Sequence, residues 1–144
     1  MSDVEVLFGD DVIVRTIARL LTPFIQLFGL YVIMHGHASP GGGFQGGVII
    51  GASFILLALS LGLPEAKERF KERVRLPLES TGVLLYALIG IACILAGGYF
   101  LQYRIAFLFP PHVVSEILIS AVEIGIGITV MAMIVTIFYS MAGD

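Results

Sequence analysis

Apolar residues run almost unbroken through four stretches of the chain, roughly 12–34, 46–63, 80–101 and 113–139, and polar residues gather between them. Each stretch approaches or exceeds the roughly 20 residues that a helix needs to cross the hydrocarbon core of a bilayer. The pattern predicts an all-α integral membrane protein with four transmembrane helices in one membrane domain, 1–144. An acidic tail, 1–11, precedes them and carries Asp3, Glu5, Asp10 and Asp11. Its charge is opposite to the basic leading region of a secretory signal peptide, so the first apolar stretch is expected to stay in the protein.

Composition sharpens this reading. The chain is 58% hydrophobic and only 13% charged, with a mean hydropathy of +0.99, whereas a soluble domain is about half apolar and about a quarter charged. The placement of charge adds an orientation. If the four helices alternate, Arg15, Arg19, Lys67, Arg69, Lys71, Arg73 and Arg75 fall on one side and Arg104 on the other. Short loops rich in lysine and arginine stay in the cytoplasm, so both termini and the 63–78 loop are expected there, with the 35–47 turn and the 102–111 loop outside. The basic residues are too few and too dispersed for a nucleic-acid partner. The lone cysteine, Cys93, lies in the third stretch and reads as a small apolar filler.

Several local features refine the elements. Arg15 and Arg19 share a helix face and are expected to anchor the first helix by reaching to the headgroups. Pro23 should bend that helix. Gly43, Gly47 and Gly51 recur every fourth residue and open a groove in the second helix for close approach of another. The charged run between Pro64 and Pro77 predicts a short surface helix with Phe70 and Val74 inward and an ion pair between Glu65 and Arg69. Glu79 has two readings, a cap on the positive end of the third helix or a member of an ion route. Phe107, Leu108 and Phe109 suit a loop that dips into the outer interface.

The fourth helix carries the main candidates for chemistry. Glu116 and Glu123 lie about 10 Å apart on one face, with Ser120 between them and Gly127 beyond. Counted from Val113, Glu123 is expected about 15 Å deep, near the middle of a core roughly 30 Å thick. A carboxyl there must be protonated, paired with a cation or beside water, which makes Glu123, and then Glu116, ion-pathway candidates. The alternative is a carboxyl that only joins helices through a hydrogen bond. No basic residue lies deep in these helices, so a pairing cation for Glu123 is expected from another subunit.

The polar turn is dense in glycine: His35, Gly36, His37, Ala38, Ser39, Pro40, Gly41, Gly42, Gly43, Phe44, Gln45, Gly46 and Gly47. Glycine loses more freedom on ordering than any other residue, so such a run implies unusual dihedrals or very close approach to a neighbour. Gly41, Gly43 and Gly46 spell a G-x-G-x-x-G, but no strand precedes them and no βαβ unit fits between membrane helices, which excludes dinucleotide binding. His35, His37 and His112 share the outer side but lack the acid or thiol ligands and supporting partners of a metal centre, so no metal and no cofactor is expected. His35 is expected to cap the first helix and His37 to hydrogen-bond within the turn. Ser39 and Pro40 suit a tight turn, and Gln45 can offer its amide to backbone groups.

Gly36-His37, Ser39-Pro40-Gly41-Gly42-Gly43-Phe44 and Gly46-Gly47, following Phe28-Gly29-Leu30-Tyr31, together resemble the MnhB subunits of the Mrp (Mnh-type) sodium/proton antiporters. They equally resemble the counterpart of MnhB in the membrane arm of archaeal membrane-bound hydrogenase-type complexes. The likeness covers nearly the whole chain, and the turn is its most specific part. Gln45 and the preceding His35 are the form associated with the hydrogenase-type and related archaeal assemblies. The resemblance implies a small integral subunit lying beside larger antiporter-like membrane subunits, which hold the main proton path. It implies no catalytic role for the turn. In the hydrogenase version a separate arm passes electrons from ferredoxin to a nickel–iron centre, so this chain, without a cysteine set, would be a non-catalytic subunit of a redox-driven ion pump.

Two functions from different classes follow. One is a subunit that helps form a sodium or proton path at subunit interfaces through Glu123, Glu116, Ser120 and Glu79. The other is a purely structural subunit whose turn and glycine faces hold its neighbours. An independent small proton-coupled exporter is a third reading, disfavoured by the absence of tryptophan and by the position of the acid in the last helix. No nucleophile–base pair suggests an enzyme.

Overall fold

A computed structural model describes residues 11–103 and 111–143. Most of the acidic tail, Arg104 and the Phe107–Phe109 segment lie outside the described residues. Among the described residues the structure is helical: α1 (Val12–Met34), α2 (Gly43–Leu61), a short α3 (Leu63–Arg69), α4 (Glu72–Leu95) and α5 (Pro111–Ala142). Four of them, all but α3, are long and apolar enough to cross a membrane.

Local chemistry sets the ends. The Asp11 carboxylate accepts the Ile13 N–H at 2.9 Å and caps α1. Pro23 sits inside α1 without ending it. At the far end of α4 the Gly97 N–H bonds the Ile94 carbonyl and the Gly98 N–H the Cys93 carbonyl. Gly97 has φ +87°. This is the paired-bond stop that glycine favours, and it ends α4 at Leu95 instead of the expected 101. α4 also starts earlier than expected, at Glu72, because Pro77 lies within the helix and does not bound the charged run. The chain breaks at Phe70 and Lys71 instead. Phe70 turns inward as expected, but Val74 is exposed and Arg75 is buried in its place.

The helices form an open row in the order α1, α2, α5, α4. α2 lies inside it, with half of its apolar window buried against about a fifth for the outer helices. α2 and α5 run parallel. Gly43 lies against Glu123, Gly47 against Gly127, and Gly51 against Met131 and Ile134. A Cβ on Gly47 would stand 2.7 Å from the Gly127 carbonyl oxygen, so the every-fourth-residue glycines do admit a close helix, and that helix is the chain's own α5. Gly46 faces the other way, toward Gly29 and Ile33 of α1. α4 packs antiparallel on α5 through Gly82 and Gly125. The outer faces of α1 (Leu20, Phe24, Leu27) and α4 (Leu84, Leu88, Ile91) remain exposed and apolar, as lipid or neighbouring subunits require.

A hydrophobic core cluster lies at the end away from the glycine turn, where Ala58, Leu63, Ala66, Phe70, Val135 and Tyr139 pack together. Phe54 and Phe70 stack there at 4.7 Å. The Tyr139 hydroxyl donates to the Ala66 carbonyl at 3.2 Å, which ties α5 to α3. Arg15 and Arg19 do not simply reach outward as anchors. Both donate to Glu65, at 3.2 and 3.0 Å, and Arg69 joins them at 3.3 Å. The expected Glu65–Arg69 pair is therefore one edge of a network that pins α1 to α3.

Candidate functional site

The glycine turn folds over Glu123. After α1 the His35 backbone N–H donates to the Tyr31 carbonyl, the His35 ring stacks on Tyr31 at 4.2 Å, and its Nδ1 lies 3.1 Å from the Tyr31 carbonyl oxygen. His35 is thus the C-cap of α1. The Ser39 hydroxyl donates back to the His35 carbonyl at 2.9 Å and closes the turn. Gly42 then adopts φ +120° at the N-cap of α2, a conformation that side chains with a Cβ rarely take.

This geometry brings three glycines to one carboxylate. A Cβ on Gly36 would meet the Glu123 carboxylate itself, and one on Gly42 would lie 3.3 Å from its Oε1. A Cβ on Gly43 would strike the Glu123 backbone carbonyl. The turn therefore lacks side chains where the acid sits. Glu123 Oε2 is buried without a hydrogen-bond partner among the described residues, an arrangement that costs free energy unless something else satisfies the oxygen.

Packing sets the level of Glu123 in the helix row. It is level with the first residue of α2, at the turn end of the helix row and not halfway along it. α5 is 32 residues long, longer than a span needs, and about 18 Å of it precedes Glu123. Among the described residues no ion pair includes Glu123. Among the described residues His37 forms no hydrogen bond within the turn, and exposed Gln45 likewise offers none to the backbone.

The other candidates do not gather here. Glu116 lies two turns nearer the start of α5 and is exposed, while Ser120 is half-buried. Glu79 is not a helix cap, because α4 begins seven residues before it, at Glu72. Its carboxylate instead accepts from the Thr136 hydroxyl, and its backbone carbonyl accepts from Thr129 at 3.1 Å. Thr136 is about 20 Å along α5 from Glu123, so the Glu79 carboxylate turns away from the Glu123 site. Sequence reasoning passed over Thr129 and Thr136, which face Glu79 at a spacing of seven. Pro40 and Phe44 are exposed. Among the described residues no histidine, cysteine and acid group could hold a metal.

Residues 13–136 match the family described as a domain related to the MnhB subunit of Na+/H+ antiporters. The chain belongs to the MnhB family. It is 34% identical over 138 residues to the putative antiporter subunit mnhB2 of Staphylococcus aureus strain Newman, covering 93% of this chain and 96% of that one. The same figures hold for the mnhB2 protein of strain COL. Among solved structures, a chain of the membrane-bound sulfane sulfur reductase, an archaeal respiratory membrane complex, matches with a TM-score of 0.58 and 30% identity over 85% of this chain. This MnhB-family chain spans 56% of that longer one. Family membership and four apolar helices make it a multi-pass membrane protein, and its relatives are named as antiporter subunits.

Proposed function

We propose that this chain is a small integral subunit of a multisubunit Mrp-type sodium/proton antiporter module, either free-standing or within an archaeal hydrogenase-type or sulfur-reducing respiratory complex. In that assembly it contributes Glu123 to a sodium or proton path at a boundary with larger membrane subunits, with both termini cytoplasmic and no redox chemistry of its own. The observation that supports this most is the Glu123 carboxylate, one oxygen buried and unbonded, beneath a turn whose glycines leave room for it. A carboxyl so placed gains from a proton or a sodium ion, which completes the missing contact. The orientation rests on the gathering of Arg15, Arg19 and Arg69 around Glu65 at the opposite end.

A purely structural role is the second reading, favoured by the exposed apolar faces of α1 and α4. The two separate on the Glu123→Gln variant in the complete complex, reconstituted into vesicles. The path reading predicts that ion flux falls about tenfold or more, the scale of a lost proton-transfer group, while every subunit still co-purifies. Unchanged flux leaves the structural reading.

A further inference from the structure

We propose that the cavity between the α3–α4 junction and the end of α5 binds the phosphate of an anionic phospholipid through Arg75. This site lies at the far end of the molecule from Glu123 and does not depend on the ion-path reading. Arg75 is only 8% exposed, an unusual degree of burial for a charge, which is seldom buried without a partner. Its guanidinium lies 5.0 Å from the centre of the Tyr139 ring, a cation–π contact that orients the group. Its Nε has no hydrogen-bond partner, and no ion pair among the described residues includes it.

Arg75 lines a cavity of about 510 Å³ together with Lys67, Lys71, Glu68, Glu72 and Ser140. Glu68 and Glu72 are exposed and neither pairs with it, so the cavity presents three cations against two acids that leave the buried one unanswered. The apolar side is supplied by Phe70 and Tyr139, both buried.

Position identifies the ligand's chemistry. The cavity opens where α4 begins and α5 ends, the level at which headgroups meet spanning helices, and basic pockets between helices at that level suit anionic headgroups. A phosphate diester offers the planar guanidinium two oxygens and leaves the lysines to take up the remaining charge. Its acyl chains can follow the exposed apolar face of α4, along Val83, Leu84 and Leu88. The rival anion within the chain is the carboxylate of Asp144, which follows Gly143 at the cavity wall and lies outside the described residues.

The test uses the intact complex, exchanged into detergent micelles carrying phosphatidylglycerol or phosphatidylcholine, with retained lipid counted by mass spectrometry. Wild type is expected to retain phosphatidylglycerol in preference to phosphatidylcholine, and Arg75→Gln to weaken that retention about tenfold or more, with Arg75→Lys restoring part of it. If Arg75→Gln does not assemble, Lys67→Gln with Lys71→Gln, both exposed, serves and is expected to weaken retention severalfold. Equal retention by wild type and variants overturns the proposal. So does displacement of the lipid by millimolar inorganic phosphate, which would make the site one for free phosphate. A gain of lipid seen only on deleting Asp144 would overturn it too, assigning Arg75 to the tail.

Discussion

Glu65 and Glu123 are the same residue type at opposite ends of one helix row, and their surroundings differ in nearly every respect. Glu65 is partly exposed and held by Arg15, Arg19 and Arg69. Glu123 has no ion pair among the described residues, a buried oxygen without a partner, and a lid of glycines instead of cations. Surrounding an acid with arginines satisfies it and fixes it in one charge state. Surrounding it with glycine backbone excludes competing side chains and leaves its bonding incomplete. The first arrangement suits a strut, and the second suits a group that takes up and releases an ion.

The largest effect that tests this contrast is expected from Gly43→Ala. Its new methyl would meet the backbone of Glu123, which cannot rotate away, so α2 and α5 must separate at a cost of about 1–3 kcal/mol or more. Loss of this subunit from the purified complex, or a clear drop in its melting temperature, is the expected readout. Gly36→Ala should act differently, because its methyl meets the movable end of the Glu123 side chain. Assembly should survive while ion flux changes severalfold. If Gly36→Ala and Gly43→Ala behave alike, the turn only packs.

The smallest effect is expected from Glu65→Gln. Partial burial pulls the Glu65 carboxyl upward, but hydrogen bonds from Arg69 and Arg19 and their charges outweigh this and hold it below its ordinary value of 4.5. A carboxyl depressed by folding adds stability above its unfolded value and loses it as pH falls through the folded one. Any contribution should therefore be intact at neutral pH, fade only below about 4.5 and weaken with salt, since exposed pairs are screened. Melting curves across pH and salt check this. A Glu65→Gln variant that lost as much ion flux as Glu123→Gln would break the comparison between the two acids.

Much of the fold was legible in the residues. The expected 12–34 helix is α1, because Asp11 caps its start and His35 its end. Other boundaries moved where a local signal served a nonlocal contact. The second helix was expected from 46 but begins at Gly43, and its glycines let α5 and α1 approach. Pro77 read as a stop, yet it sits inside α4. Glu123 stood out as an acid in an apolar run, but its level against α2 did not, since no count along one helix shows where a neighbouring helix begins. Its meeting with Gly36 joins residues 87 positions apart and depends on the parallel packing of α2 and α5. Arg75 counted only toward orientation, and nothing local announces that it, and not Val74, turns inward over Tyr139.

The measurement that bears most directly on Glu123 as an ion-exchanging group is its rate of modification by a membrane-permeant carbodiimide, a reagent selective for protonated carboxyls. The rate is followed by peptide mass spectrometry on the intact complex across pH and sodium concentration. Glu123 is expected to be modified, and raising either pH or sodium to protect it. A rate indifferent to both would rule out ion exchange at Glu123 and leave it as a packing residue.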